Sequence, residues 1–444
     1  MKQDRRGLEV TTDSGEVIGA IDRFSDEIIS LRPGFDRIGA AAKAHPECAM
    51  LQACTAMLGV FSQLPGEAAA ARRLLDGPKA RLSGITERER LFIAAVDAGC
   101  AGDLDGALEI SEQIVRRWPR DRLAAKLSEF YCFETGNARG QLRVMSAMEE
   151  SNRDEPHMLS MYAFALELCE RRGESEVVAR KALELDPLTT WAQHCLAHVW
   201  AGDGRVGEGI AALEQFAPDW PAFVHYIDSH NWFHLATLYL ADLRYEAALK
   251  AYREHIWGFT PSLVVEHTDA ILLLWYLELA GRDVAGAWKE IAPHAAKYAG
   301  EHLFPFLNAI YLYALERAGE SERVNLELES TQRFADQLGG GNRALVWGKI
   351  GLPLIQASVR YARGDYDRCA ELLEAVLPEV WRAGGSDEQR RVFFESHLMS
   401  LIKSRNRARA SRALEDLIGG RRATRLENLW RDKIGATPRR SNQS

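Results

Sequence analysis

At 444 residues, 47% of them hydrophobic and with no low-complexity block, the chain has enough apolar surface for a fully folded protein, which excludes extensive disorder. Its net charge of −8 is uneven: Leu401–Ser444 holds 12 Lys or Arg against 4 Asp or Glu, which is +8 and leaves −16 for the rest. An acidic body excludes nucleic acid as the main partner, because phosphate contacts need a basic stripe.

Taken in chain order, residues 1–15 read as a disordered start. Lys2, Arg5 and Arg6 are followed by no apolar stretch, so the segment is not a secretory signal. Residues 16–85 read as irregular helical hairpins, with one pair over Val17–Leu64. Seven cysteines (Cys48, Cys54, Cys100, Cys132, Cys169, Cys195, Cys369) are scattered without a C-x-x-C pair, a pattern of reduced thiols that points to the cytoplasm.

Residues 86–300 read as regular repeats. Pro119, Pro187 and Pro221 stand 68 and then 34 residues apart, each after an apolar helix that proline cannot extend. A 34-residue period is that of the tetratricopeptide (TPR) repeat, and Ser229–Ser262 carries its pattern: Trp232, Leu235 and Ala236, Tyr239, then Ala248 and Tyr252. The same register puts Ala107, Ala179 and Ala182 at small packing sites. Gly- and Asp-bearing turns separate the paired helices at Ala101-Gly102-Asp103, Arg172-Gly173-Glu174, Gly202-Asp203-Gly204, Gly281-Arg282-Asp283, Gly319-Glu320 and Gly364-Asp365-Tyr366. The longest apolar run, Ala270–Leu277, is too short to cross a bilayer, so no membrane partner is expected.

Residues 301–435 read as further repeats: an irregular pair over His302–Leu338, a joint at Gly339-Gly340-Gly341-Asn342, and a unit over Leu352–Val376 with Cys369 at the small site and Leu373 after it. The basic residues Lys403, Arg405, Arg407, Arg409, Arg412, Arg421 and Arg422 form the solvated face of a terminal element. Residues 436–444 read as a disordered tail. No segment alternates with period two, so the expected fold is all-α, a TPR-like α-solenoid of stacked antiparallel helical hairpins.

Two histidine pairs stand four residues apart, His194/His198 and His230/His234, and residues at that spacing share a helix face. No H-E-x-x-H motif, phosphate loop, nucleophile motif or dinucleotide fingerprint is present, so no cofactor is expected. TPR proteins turn the second, fifth and ninth residues of each first helix to the concave groove. Here those positions hold Trp191, His194 and His198, then His230, Phe233 and Thr237, with His157 and Phe164 from the preceding repeat. Glu266, His267 and Asp269 open the next helix and add carboxylates. Imidazole and aromatic rings there do not suit a peptide-carboxylate clamp, which uses Lys, Asn and Arg. They suit a small polar or aromatic ligand or a partner's helical segment. Three readings of the histidines stand: generic groove lining, a metal or catalytic cluster of His194, His198, His230 and His234, and a pH-sensitive binding site.

The runs Met161–Glu167, Trp191–Val199 and His230–Ala236, with Gly384-Gly385-Ser386 and Gln389-Arg390, resemble the tetratricopeptide repeat protein 38 family from about Phe24 to about Arg431. The resemblance implies a TPR-like fold with His194, His198, His230 and His234 as shared groove residues, and it implies no reaction. The chain departs from that pattern at Phe306-Leu307-Asn308-Ala309-Ile310, where relatives have a F-N-D-x-H run, and at Asp387, where they have His. The expectation is a binding or interaction protein whose groove takes a small ligand or a peptide. The alternative is an enzyme using the histidines as general acid/base or metal ligands, and the oligomeric state stays open.

Overall fold

The 34-residue period is written in the helix starts of a computed structural model, which describes residues 1–64 and 66–435. After a short antiparallel strand pair, β1 (Lys2–Gln3) and β2 (Glu9–Val10), come α1 (Gly15–Ser30), α2 (Ile38–Ala44), α3 (Ala49–Phe61), α4 (Glu67–Leu74) and α5 (Asp76–Lys79). The regular part follows as α6 (Glu87–Cys100), α7 (Leu104–Arg117), α8 (Arg122–Thr135), α9 (Ala138–Met148), α10 (Pro156–Leu168), α11 (Arg172–Leu185), α12 (Thr190–Gly202), α13 (Val206–Phe216), α14 (His225–Ala241) and α15 (Tyr245–Ala251). Next are α16 (Val264–Leu279), α17 (Ala285–Tyr298), α18 (Pro305–Arg317), α19 (Ser321–Gln337) and α20 (Gly341–Leu345). The described chain ends with α21 (Leu352–Ala362), α22 (Tyr366–Val376), α23 (Asp387–Lys403), α24 (Arg407–Ile418) and α25 (Arg425–Gly435). The fold is all-α and TPR-like, built of antiparallel hairpins in sequence. The expected tail, residues 436–444, lies outside the described residues.

Contacts divide the chain into two units, the first comprising Met1–Val199, Leu213–Asn231 and Thr260–Glu266. Within it the first helices of successive hairpins begin at Glu87, Arg122, Pro156, Thr190 and His225, 34 or 35 residues apart. Pro119 and Pro187 lie just past the ends of α7 and α11, as their missing N–H requires. Small residues let paired helices approach closely: Ala163, Ala165, Ala179 and Ala182 are fully buried, and Ser175 Oγ donates to the Ala163 carbonyl at 2.7 Å. Between α10 and α11 the expected Gly173 turn is displaced. Glu170 takes the left-handed conformation (φ 61°) while Gly173 lies inside α11. A glycine three residues after the turn is a poor marker, because a helix can absorb it at about 1 kcal/mol.

The start of the chain corrects the expectation of disorder over residues 1–15. Val10 is fully buried, and Thr11 donates through both its N–H and its hydroxyl to Glu89. Glu89 also completes the capping box of α6 with Thr86. Arg88 donates to the Glu9 carbonyl at 2.9 Å and to Asp121 Oδ2 at 2.8 Å, with both ion-pair side chains buried. Asp121 in turn caps α8 by accepting from the Ala124 N–H.

The second unit comprises Trp200–Ala212, Trp232–Phe259 and His267–Ser444. Its centre is the apolar run Ala270–Leu277, almost wholly buried. Trp275 stacks on Tyr313 with centroids 3.5 Å apart. One carboxylate organises three helices: Glu278 accepts from Trp288 Nε1 at 3.0 Å, from Tyr313 Oη at 2.7 Å and from Arg317. Cys369 and Leu373 are buried at the small site and the site after it. Helix α15 is shorter than a TPR second helix and passes into a π turn over Tyr252–Ile256. Trp232 there stacks on His255, with centroids 3.7 Å apart.

The buried Arg88–Asp121 pair yields a stability test. Asp121→Ala strands a buried guanidinium and removes a helix cap, so urea unfolding should show a loss of about 3–5 kcal/mol. A loss below about 1 kcal/mol would show that the pair is exchanged with solvent.

Candidate functional site

In the first unit the histidines converge instead of lining an open channel. Positions 191, 194 and 198 fall on one face of α12, and 164 and 167 on one face of α10, so the helical period assembles the cluster. His194 stacks on Trp191 (4.4 Å between centroids) and lies 4.7 Å from the His198 ring and 5.1 Å from that of His230. Phe164 closes one side, 5.1–5.5 Å from Trp191, His194 and His198. Exposure is 1% for His194, 0% for His198 and 7% for His230, which corrects the expectation that these rings face an open groove. Only Trp191 and His157 among the expected ligand contacts of this unit are half-buried.

The electrostatics work against a charge on His194. Burial, with the imidazoles of His198 and His230 and the ammonium of Lys126, holds His194 well below the usual histidine range. Lys126 sits 5.1 Å from the centre of the Trp191 ring and pairs with Glu129 at 2.5 Å. His198 Nδ1 lies 3.3 Å from Glu167 Oε2, both side chains fully buried. That contact orients the imidazole. The Trp191 indole N–H is buried and finds no acceptor among the described residues. Cys195 donates to the Ser160 carbonyl at 3.3 Å, and burial pushes its thiol well above the usual range, so it is no nucleophile.

The other expected residues make contacts of their own. His157 stands 3.9 Å from Asp186, and burial outweighs that carboxylate to lower its pKa. Glu266 is fully buried and accepts from the Thr260 N–H at 2.6 Å, with His225 Nε2 at 2.9 Å. His225 is a partner that sequence reasoning missed, since it opens α14 five residues before His230, the first of the repeat's inward positions. Phe233 and Asp269 belong to the second unit and are fully buried there, Phe233 as core. His234, one turn beyond His230 on α14, also falls in the second unit, its ring 5.4 Å from that of Phe233. At the departures from the family pattern, Asn308 donates to the Ala299 carbonyl at 2.7 Å, Ile310 is core, and Asp387 opens α23 after the capping residue Ser386. His267 meets Tyr311 Oη through Nδ1 at 3.0 Å.

For metal binding, His194 and His230 each offer a ring nitrogen within 4.8 Å of the other's, and a carboxylate oxygen of Glu167 stands as close to a nitrogen of His198. No histidine of the first unit needs to be positively charged for either arrangement.

Sequence reasoning also missed a charged cavity of about 60 Å³ in the second unit, lined by Tyr276, Glu388, Arg391, Glu395, Arg421, Glu427 and Trp430. Its charged residues come from α23, α25 and the loop before α25, and α12, α13, α14 and α16 complete the lining, with no shared motif to mark them. Burial works against the Glu427 carboxylate, but hydrogen bonds from Arg421 and the Thr424 N–H and the charge of Arg391 hold it at about 2. Burial raises Glu395 from 4.5 to about 7 despite its bond from Arg391 Nε at 2.8 Å.

The folded value of Glu395 lies above its unfolded one, so its contribution to stability is complete below about 4.5 and is lost as pH rises through about 7. Glu395→Gln removes that loss. Denaturant unfolding should show variant and wild type alike at the acid end and the variant ahead by about 2 kcal/mol at the alkaline end. A difference independent of pH would mean that Glu395 does not titrate in this range.

No family model matches the chain. Among solved structures it is similar to one described as the structure of Naa15/Naa10 bound to HypK-THB, over 91% of this chain, at 12% identity and a TM-score of 0.26. The chain spans 63% of the length of that matched chain.

Proposed function

We propose that this is a TPR-like binding protein of the tetratricopeptide repeat protein 38 family that holds a small polar or aromatic ligand at the enclosed cluster of Trp191, His194, His198 and His230. One observation carries the reading: a buried indole N–H with no acceptor among the described residues stands beside three packed imidazoles. A buried donor left unpaired costs about 1–3 kcal/mol, and a ligand acceptor at that point recovers it. The rings add aromatic faces for stacking and nitrogens for hydrogen bonding. A solvated groove would favour a peptide instead, and these imidazoles are buried. A cytoplasmic location accords with the free cysteines. Among the described residues no helix is long and apolar enough to cross a membrane.

A second reading is favoured by the Glu167–His198 contact. A carboxylate on Nδ1 is the arrangement by which a general base is oriented, so the same cluster would suit an enzyme acting on the bound molecule.

The test is a thermal-shift screen of small polar and aromatic compounds against wild type and Trp191→Phe, which keeps the ring and removes the N–H. Compounds that raise the wild-type melting temperature in a dose-dependent way should bind the variant about tenfold more weakly. Hits that bind both proteins equally, or a screen without hits, would end the reading. For the enzyme reading, Glu167→Gln should slow turnover of any substrate found while leaving its affinity unchanged.

A further inference from the structure

We propose that His194 and His230, with His198 beside them, form a site for a divalent transition-metal ion. The inference rests on the reading of this cluster as a binding centre and names what occupies it. The donors are imidazoles only, which suits zinc, cobalt or nickel and not the oxygen-seeking calcium or magnesium. They come from two different helices, α12 and α14, so the site is held by tertiary structure and not by a single flexible segment.

The distances allow it. An ion bound at about 2.0–2.1 Å from each nitrogen spans at most about 4.2 Å between two donors. The ring nitrogens of His194 and His230 lie within 4.8 Å of each other, so rotations of a few tenths of an ångström at each ring close the gap. Beside the two donors, Glu167 engages His198 Nδ1 at 3.3 Å, a carboxylate–histidine pairing of the kind that orients imidazoles around metal ions. In its ionised form the buried Glu167 carboxylate offsets part of the charge of the incoming ion. Lys126, the nearest cation, is compensated by Glu129 at 2.5 Å and does not add its full charge to the cluster. A site of this kind leaves coordination positions for water or for a ligand that meets the Trp191 N–H, which joins the ion to the small-molecule reading.

The full chain is stripped with a chelator and titrated with cobalt(II) and zinc(II), followed by calorimetry and by the visible bands of bound cobalt. One ion per chain is expected. Binding should be at least tenfold weaker in His194→Gln and His230→Gln and about tenfold weaker in Glu167→Gln, with His45→Gln as an unaffected control. X-ray absorption on the wild-type cobalt form reads the same site without substitution and should count two or three imidazoles. Absence of stoichiometric uptake, or a shell with fewer than two imidazoles, overturns the metal site. If uptake fails while the compound screen still separates wild type from Trp191→Phe, the binding reading survives without the ion. If both fail, the cluster is packing alone.

Discussion

A helical hairpin has more apolar surface than its two helices can cover for each other, and everything else in this molecule follows from that surplus. Stacking the next hairpin is the remedy, and it works only if the contact residues are small and the period is kept. Ala163, Ala165, Ala179 and Ala182 meet the first condition, and starts 34 or 35 residues apart from Glu87 to His225 meet the second. Once the first helices are set at a constant period, residues at equivalent positions are brought to a common depth. That is how Phe164, Trp191, His194 and His230, from three different helices, come to share one cluster.

The fold was legible because its signals are local. Pro119 and Pro187 stop helices wherever they occur, and the Trp232–Tyr239 spacing is a packing pattern within one helix. The meeting of His194, His198 and His230 followed from the register. Their enclosure did not, because burial depends on the bulk of neighbours such as Phe164 and Lys126, which lie far away in sequence. The strand pair at the start of the chain was illegible for the same reason. Leu8 and Val10 are too few to suggest structure, and their order comes from Glu89 and Arg88, about eighty residues on. The charged cavity around Glu395 and Glu427 has no period to betray it, since its residues are joined by ion pairs between α23, α25 and the loop before α25.

The two polar centres show opposite solutions to burying titratable groups. In the first unit, burial first and then the rings of His198 and His230 work against a charge on His194. In the second, Arg391 and Arg421 saturate Glu427, and Glu395, with a single bond from Arg391 Nε, carries the burden of burial. An uncharged imidazole has a lone pair for coordination and a face for stacking, whereas a saturated ion pair is committed to holding its helices together. The chemistry available to each centre therefore follows from how its charges are balanced.

The spacing of three and then four residues from Trp191 through His194 to His198 is a matter of angular phase. Each residue advances the helix by about 100°, so seven residues return almost to the starting direction. Deleting one residue between Trp191 and His194 would leave the composition of α12 nearly untouched, yet it would swing one ring out of line with the other two by more than a quarter-turn. The cluster is thus encoded as a rotation angle, and a sequence can preserve every histidine while losing it.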